Sequence, residues 1–219
     1  MKKELNKVHE ILLSKESEMK EFMKHYAFKK NKKNIETFVD DKVQFLEFID
    51  FCLNTRRKSV EEHKIEGKQY FNKNYDNIIR SVEEKDVAKL RSLVCDSPGV
   101  GQKIGSMILE FIFLYSRHRD EAVIKELYVP IDTHVKRIFK YSFGMETPEI
   151  GWRYGNKKFQ EFQDLLDGYS NNKGRIYFDY LWFVGKVFCT KMESKNSKGY
   201  KLCQYCWIKE YCKNKDKWS

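Results

Sequence analysis

Lys103 and Asp132 are two residues whose types and sequence positions could support a shared chemical step. Lys103 follows the tight turn of "SPGVGQ", and Asp132 lies 29 residues later in the corner "PIDTHV". In the first turn of a helix the dipole disfavours a cation, which favours the neutral, nucleophilic amine of Lys103. Asp132 precedes a helical pattern, so we expect its carboxylate to cap that helix. Either residue alone would be interpreted as a surface lysine or a plain cap, whereas the combination favours a joint role.

The lysine is preceded by a turn that separates two apolar helical patterns, within "DVAKLRSLVCDSPGVGQKIGSMILEFIFLY". Its residues are Pro98, Gly99, Val100, Gly101 and Gln102. The proline ends the first helix, and the glycines permit backbone angles and close approaches that a Cβ forbids. The pattern predicts a helical hairpin over about residues 86–116, whose second helix directs its first N–H groups and positive dipole end at a phosphate. The alternative is an ordinary hairpin without a ligand.

Four of the six cysteines lie in the last 31 residues. They are Cys189, Cys203, Cys206 and Cys212, in the spacing C-x13-C-x2-C-x5-C. Thiolates grouped in this way favour a metal site over disulfides, and they suit one 4Fe-4S cluster or one tetrahedral zinc ion. The long interval contains Lys191, Lys195, Lys198 and Lys201, which we predict to contact phosphates or, alternatively, only to solubilise the loop.

The elements that position these residues are predicted to be helices. Only 3 prolines and 11 glycines interrupt the chain, and apolar residues recur mostly at three- and four-residue intervals. Helical patterns cover residues 3–28, 42–54, 68–80, 86–95, 100–116, 132–142, 158–167 and 175–190. A chain of 219 residues can bury a real core, so the predicted fold class is all-α.

The charge of the chain indicates a polyanionic partner. It has 42 Lys and Arg against 32 Asp and Glu, a net charge of +10 that favours nucleic acid or an acidic membrane surface. No apolar run approaches the roughly 18 residues of a spanning helix, and charges interrupt every turn of the N-terminal segment. We therefore expect a soluble, intracellular protein without a membrane partner. A membrane-surface protein is the weakest alternative, because no helix pairs a strongly cationic face with an exposed apolar face.

At these motifs the chain resembles the helix-hairpin-helix/Gly-Pro-Asp superfamily of DNA base-excision glycosylases, most closely its endonuclease III branch. "SPGVGQKIGSMIL" is similar to the family's hairpin, "PIDTHVKRI" to its aspartate corner, and "LWFVGKVFC" with "CQYCWIKEYC" to its cysteine segment. The resemblance covers about residues 90–140 and 180–212. The chain departs from the family at Ser97 and Gly105, in a longer first cysteine interval, and in the charged segment "SRHRDEAVIKEL" before Asp132.

The resemblance implies two interlocked helical domains. Residues 36–128 would form a domain containing the hairpin, and residues 1–35 with 129–219 would form a second domain that includes a cluster loop at 189–212. It also implies that Lys103 is the Schiff-base nucleophile and Asp132 the catalytic aspartate. The four C-terminal cysteines would hold a 4Fe-4S cluster, with zinc as the alternative.

The activity implied is removal of a damaged base, by default an oxidised one, from double-stranded DNA, followed by β-elimination at the abasic site. One alternative is a monofunctional glycosylase in which Asp132 activates water and Lys103 only binds phosphate. A second is a non-catalytic DNA-binding protein with the same hairpin. Candidates for a lesion pocket are Arg56, Arg57, His134 and Trp152. We expect a monomer, associated with the nucleoid in the cytoplasm of a prokaryote.

Overall fold

The helical periodicity of the sequence corresponds to an all-α fold in the structure, which is a computed structural model. The structure describes residues 2–28, 34–55, 61–148, 156–189 and 205–213. Every regular element among these residues is helical, which confirms the predicted fold class. The α-helices are Lys2–Ser14 (α1), Glu16–Phe28 (α2), Lys42–Asn54 (α3), Glu61–Glu83 (α4), Val87–Cys95 (α5), Gln102–Glu110 (α6), Glu121–Glu126 (α7), Thr133–Ile138 (α8), Lys157–Ser170 (α9) and Tyr180–Val187 (α10). Phe111–Tyr115 and Phe139–Phe143 are π-helical, and Arg175–Asp179 and Lys209–Tyr211 are 3-10 turns. Within the described part of the chain, no helix has both the length and the apolar character that crossing a membrane requires.

Asp or Asn side chains start several of these helices. Asp41, Asp86, Asp120, Asp132 and Asn156 are the N-caps of α3, α5, α7, α8 and α9, and each accepts a hydrogen bond from a backbone N–H of the first turn. Such caps satisfy N–H groups that have no partner within the helix. Helix α6 differs, because its N-cap is Gly101, which has no side chain to act as an acceptor.

The chain divides into two compact units. The terminal unit contains Met1–Glu16 and Val129–Ser219, and the hairpin unit contains Ser17–Tyr128. The sequence analysis placed a boundary at the same point after residue 128, and placed the other after residue 35. The helical pattern of residues 3–28 is broken in the structure at Lys15, a turn residue between the end of α1 at Ser14 and the start of α2 at Glu16.

The break at Lys15 separates two apolar faces that pack in different units. Helix α1 buries Leu5, Val8 and Leu12 within the terminal unit, and α2 buries Met19, Met23 and Phe28 within the hairpin unit. The Phe28 ring lies against Phe38 and Phe48 at centroid distances of 5.2 and 5.7 Å. Because α1 and α2 each pack on a different core, the packing of neither helix requires residues 3–28 to form one straight helix.

The charged segment that lengthens the step from Lys103 to Asp132 is anchored inside the hairpin unit. The Arg117 backbone N–H donates to the Glu36 carbonyl at 2.8 Å. The Asp40 carboxylate lies 2.7 Å from Arg117 Nε and 2.8 Å from His118 Nε2. The segment then continues into α7, a six-residue helix that the sequence analysis did not predict. The additional residues are therefore packed rather than looped out.

Candidate functional site

The connection between α5 and α6 is a hydrogen-bonded reverse turn. The Val100 N–H donates to the Ser97 carbonyl at 3.1 Å, and Gly99 has a φ of +76°. Proline at the second position and glycine with a positive φ at the third are the signature of a type II turn. Gly99 is therefore needed for its backbone conformation, as the sequence predicts.

Helix α4 packs directly against this turn. A Cβ added to Gly67 would lie 2.7 Å from the Pro98 carbonyl oxygen, and one added to Gly99 would lie 3.4 Å from the carbonyl oxygen of His63. The backbones of α4 and of the turn are therefore so close that a Cβ at Gly67 has no room. Sequence reasoning missed Gly67, because the helical pattern was predicted only over residues 68–80, whereas α4 spans Glu61–Glu83 and contains this glycine.

The outer side of the α6 N-terminus is open at Gly101. Its backbone is extended, with φ −114° and ψ −173°, and the residue is exposed. A Cβ added there would meet no heavy atom of the described residues within 4 Å, apart from its own chain neighbours. The expectation that a Cβ is forbidden at both turn glycines is therefore wrong for Gly101, whose backbone conformation any residue can adopt. Lys103 follows in the first turn and is half-buried, whereas Gln102 is only 5% exposed. The Gln102 side chain therefore belongs to the packed side of α6.

Asp132 caps α8, which confirms the predicted N-cap. One carboxylate oxygen, Oδ1, accepts from the backbone N–H of His134 at 2.8 Å and of Val135 at 2.9 Å. The residue is 4% exposed. The segment before it is fixed by Gln163 of α9, whose amide accepts from the Val129 N–H at 2.9 Å and donates to the Val129 carbonyl at 3.0 Å. The Asp132 carboxylate is thus positioned by the N–H groups of α8 that donate to it and by Gln163, which holds the segment before it.

His134 lies where α8 crosses α10. Arg137 Nη2 donates to His134 Nδ1 and to the Gly185 carbonyl, both at 2.9 Å. Because a guanidinium can only donate, Nδ1 accepts and the ring proton is on Nε2. A Cβ on Gly185 would lie 3.0 Å from His134 Cβ, so this glycine permits the crossing. The Trp182 ring of α10 lies nearly perpendicular to the His134 imidazole, and the two ring centroids are 6.4 Å apart. Sequence reasoning named His134 but missed Arg137 and Gly185.

Aromatic contacts join the two described segments that carry C-terminal cysteines. The Trp207 ring stacks on the Phe183 ring with a centroid distance of 4.8 Å, and its centroid lies 6.0 Å from that of Phe188. Cys189 and Cys206, the chain neighbours of Phe188 and Trp207, are thereby brought to the same region of the terminal unit. Cys212 is held by a second contact, in which its thiol donates to the Ser142 hydroxyl at 3.4 Å.

Several predicted site residues lie outside the described residues. They are Cys203, the loop lysines Lys191, Lys195, Lys198 and Lys201, and the pocket candidates Arg56, Arg57 and Trp152. Within the described part of the chain, no three His, Cys, Asp or Glu side chains form a group that could hold a metal ion. The described members of the predicted ligand set are Cys189, Cys206 and Cys212, all of them thiols.

The predicted functional residues are distributed over both units. The hairpin unit carries the Pro98–Gly101 turn and Lys103, and the terminal unit carries Asp132, His134 and the C-terminal cysteines. Comparisons of the chain with protein-family models, curated proteins and solved structures found no significant match.

Proposed function

We propose that this chain is a DNA base-excision glycosylase with an associated lyase activity. The observation that carries the proposal is the start of α6, where an extended, exposed glycine leaves space beside the first turn of a helix that contains a lysine. The N-terminus of a helix stabilises an anion, and a phosphate of duplex DNA supplies one without any need to recognise sequence. The net charge of +10 supports a polyanionic partner.

Base excision on duplex DNA requires the damaged nucleotide to be extruded from the stack. Extrusion costs a few kcal/mol, and less when the lesion stacks or pairs poorly. A helical hairpin that binds the backbone through peptide N–H groups would hold the duplex near the lesion while contributing no base preference. We propose an oxidised base as the substrate.

Lys103 acts as the nucleophile in this proposal. Its neutral amine forms a bond to the sugar C1′ while the bond from C1′ to the base breaks, and the base leaves with the bonding electron pair and takes up a proton. The ring opens to give an imine between Lys103 and C1′. Loss of a C2′ proton then breaks the bond from C3′ to oxygen and releases the 3′ phosphate, and water hydrolyses the imine to restore the amine.

Asp132 acts as the carboxylate that accepts the lysine proton and offsets positive charge developing on the sugar. Its burial and its two hydrogen bonds to backbone N–H groups support this assignment, because they keep the carboxylate in one orientation. Gln163 and Val129 add to this rigidity, since they fix the chain immediately before the aspartate.

The C-terminal cysteines are proposed to hold a 4Fe-4S cluster through Cys189, Cys203, Cys206 and Cys212. The chemical type of the four side chains supports this proposal, because thiolates are the ligands of such clusters. The Trp207 contacts support it further, since they bring the segments that carry Cys189 and Cys206 together. When bound, the cluster would join the chain end to the helices of the terminal unit.

A panel of duplexes with different damaged bases tests the proposed function. Base release and strand nicking are scored separately for each duplex, using alkali to reveal abasic sites that the protein has not cleaved. The proposal predicts release with nicking in the absence of alkali. Release without nicking would favour a monofunctional glycosylase, and duplex binding without either product would favour a non-catalytic protein.

A further inference from the structure

The interior of α4 contains one residue that helix propensity does not explain. Gly67 is buried in this helix of 23 residues. Glycine costs about 1 kcal/mol relative to alanine in a helix interior. A Cβ at position 67 would approach the Pro98 carbonyl oxygen to 2.7 Å, which is closer than real Cβ atoms come to other heavy atoms. The glycine is therefore needed for the contact with the turn.

The atom that a Cβ would meet belongs to the backbone, so it cannot be displaced by a side-chain rotation. The remaining neighbours are more distant, with Leu53 Cδ1 at 3.2 Å and Ser97 Oγ at 3.4 Å. His63 lies four residues before Gly67, on the same face of α4. Its carbonyl oxygen and Cβ would lie 3.4 and 3.5 Å from a Cβ on Gly99. The turn is thus supported by α4 at two points.

A displacement at Pro98 would be transmitted to the start of α6. The hydrogen bond from the Val100 N–H to the Ser97 carbonyl closes the turn around Pro98, and Gly101 follows as the N-cap. We propose that Gly67 is a positioning residue, which sets the turn at the depth where the first turn of α6 receives a DNA phosphate. This inference rests on the proposed function, since it assigns the turn to DNA binding.

The variant Gly67→Ala tests the inference, with Gly168→Ala as the matched control. Gly168 is an exposed glycine of α9, and a Cβ there would meet no described atom within 4 Å apart from its own helix and neighbours. Two properties are measured: hydrogen exchange of residues 97–105 without DNA, and the affinity for an undamaged duplex, corrected for the folded fraction. We expect faster exchange and about tenfold weaker binding in Gly67→Ala, as for one lost charge-assisted hydrogen bond.

Urea unfolding in the binding buffer separates a lost phosphate contact from a loss of stability. Loss of a contact made by peptide N–H groups weakens the binding of the folded protein and leaves the slope of log K against log salt nearly unchanged, because no side-chain cation is removed. Partial unfolding instead lowers the folded fraction and leaves the affinity of the folded protein unchanged. The double variant Gly67→Ala/Leu53→Val removes the nearest side-chain neighbour and retains the conflict with Pro98. We expect the double variant to recover no affinity, because the conflict with the Pro98 carbonyl remains, and to be no more stable than Gly67→Ala, because Leu53→Val removes a buried methylene. Both variants are assayed at a temperature at which urea unfolding shows them folded.

Two results would overturn the inference. One is unchanged exchange in residues 97–105 together with an unchanged duplex affinity of folded Gly67→Ala, whatever its melting temperature. The other is recovery of duplex affinity by Leu53→Val. Failure of the wild-type chain to bind any duplex would instead count against the proposed function, and the exchange measurement would still decide whether Gly67 positions the turn.

Discussion

Gly101 and Asp132 have nearly the same backbone conformation, and each is the N-cap of a helix. Gly101 has φ −114° and ψ −173°, and Asp132 has φ −121° and ψ −178°. At Asp132 a carboxylate accepts two backbone N–H groups of its helix. At Gly101 the corresponding space is open. The chain therefore builds the same helix start twice, with a side-chain acceptor at the N-cap of α8 and none at the N-cap of α6.

Replacing Gly101 with aspartate should change stability and DNA affinity in opposite directions. The new carboxylate would cap α6 as Asp132 caps α8, which raises the free energy of unfolding by a few tenths of a kcal/mol, since glycine is itself tolerated as an N-cap. The same carboxylate would occupy the place of the phosphate and repel it. Urea unfolding and duplex titration measure the two effects, with Gly101→Asn as a neutral cap for comparison. Unchanged duplex affinity in Gly101→Asp would argue against a phosphate site at α6.

The capping role of Asp132 can be separated from its chemical role. Asparagine is an equally good N-cap, so Asp132→Asn should unfold with a free energy within a few tenths of a kcal/mol of the wild type. Its excision rate should fall by about a hundredfold or more, because the amide cannot accept a proton. Asp132→Ala should lose the activity and also about 1 kcal/mol of stability. Full excision activity in Asp132→Asn would leave the aspartate as a cap only.

Purified protein should contain iron and acid-labile sulfide bound through the C-terminal cysteines. We expect Cys206→Ser to lose both, since it removes one of four thiolate ligands. Cys95→Ser in α5 is the matched control, and it should keep the metal because position 95 is not in the predicted ligand set. A colourless wild-type preparation that contains zinc would contradict the cluster assignment.

His9 should make the stability of the terminal unit depend on pH. The residue is fully buried, and burial lowers its pKa below the ordinary value of 6.5, although a hydrogen bond to the Gly174 carbonyl opposes the shift. Since the unfolded chain then binds a proton more readily than the folded one, the stabilisation is complete above pH 6.5 and is lost as the pH falls towards the lowered pKa.

Urea unfolding at about pH 7.5 and about pH 5.5 measures this dependence on opposite sides of the ordinary histidine pKa. The variant His9→Phe should lose part of the slope, because a phenyl ring packs against Tyr177 and Phe178 but does not titrate. An identical pH dependence in wild type and variant would show that His9 does not contribute to it.

Features that depend on neighbouring residues were predictable from the sequence. The type II turn at Pro98–Gly99 and the N-cap at Asp132 each follow from a few adjacent residue types, and the structure contains both. Helix α3 also has the predicted bounds, because a strong apolar period begins directly after the Asp41 cap and ends near a turn.

Features that depend on contacts between distant segments were not predictable in this way. Gly67 and Gly185 are required by the close approach of another element, and nothing in their local sequence identifies that element. The break at Lys15 has the same origin, since the two halves of one amphipathic pattern cover different cores. The tautomer of His134 is likewise set by Arg137 through a contact that local composition does not specify.

The most direct test of the proposed Schiff base at Lys103 is reductive trapping on duplex DNA that carries a substrate lesion. Borohydride delivers hydride to the imine carbon and converts the Schiff base into a stable amine, which links the protein to the DNA strand. We expect a covalent adduct with the wild type and with the control Lys89→Ala, which replaces an exposed lysine of α5, and no adduct with Lys103→Ala. An adduct with Lys103→Ala, or none with a wild type that excises the base and nicks the strand, would contradict the Schiff base at Lys103.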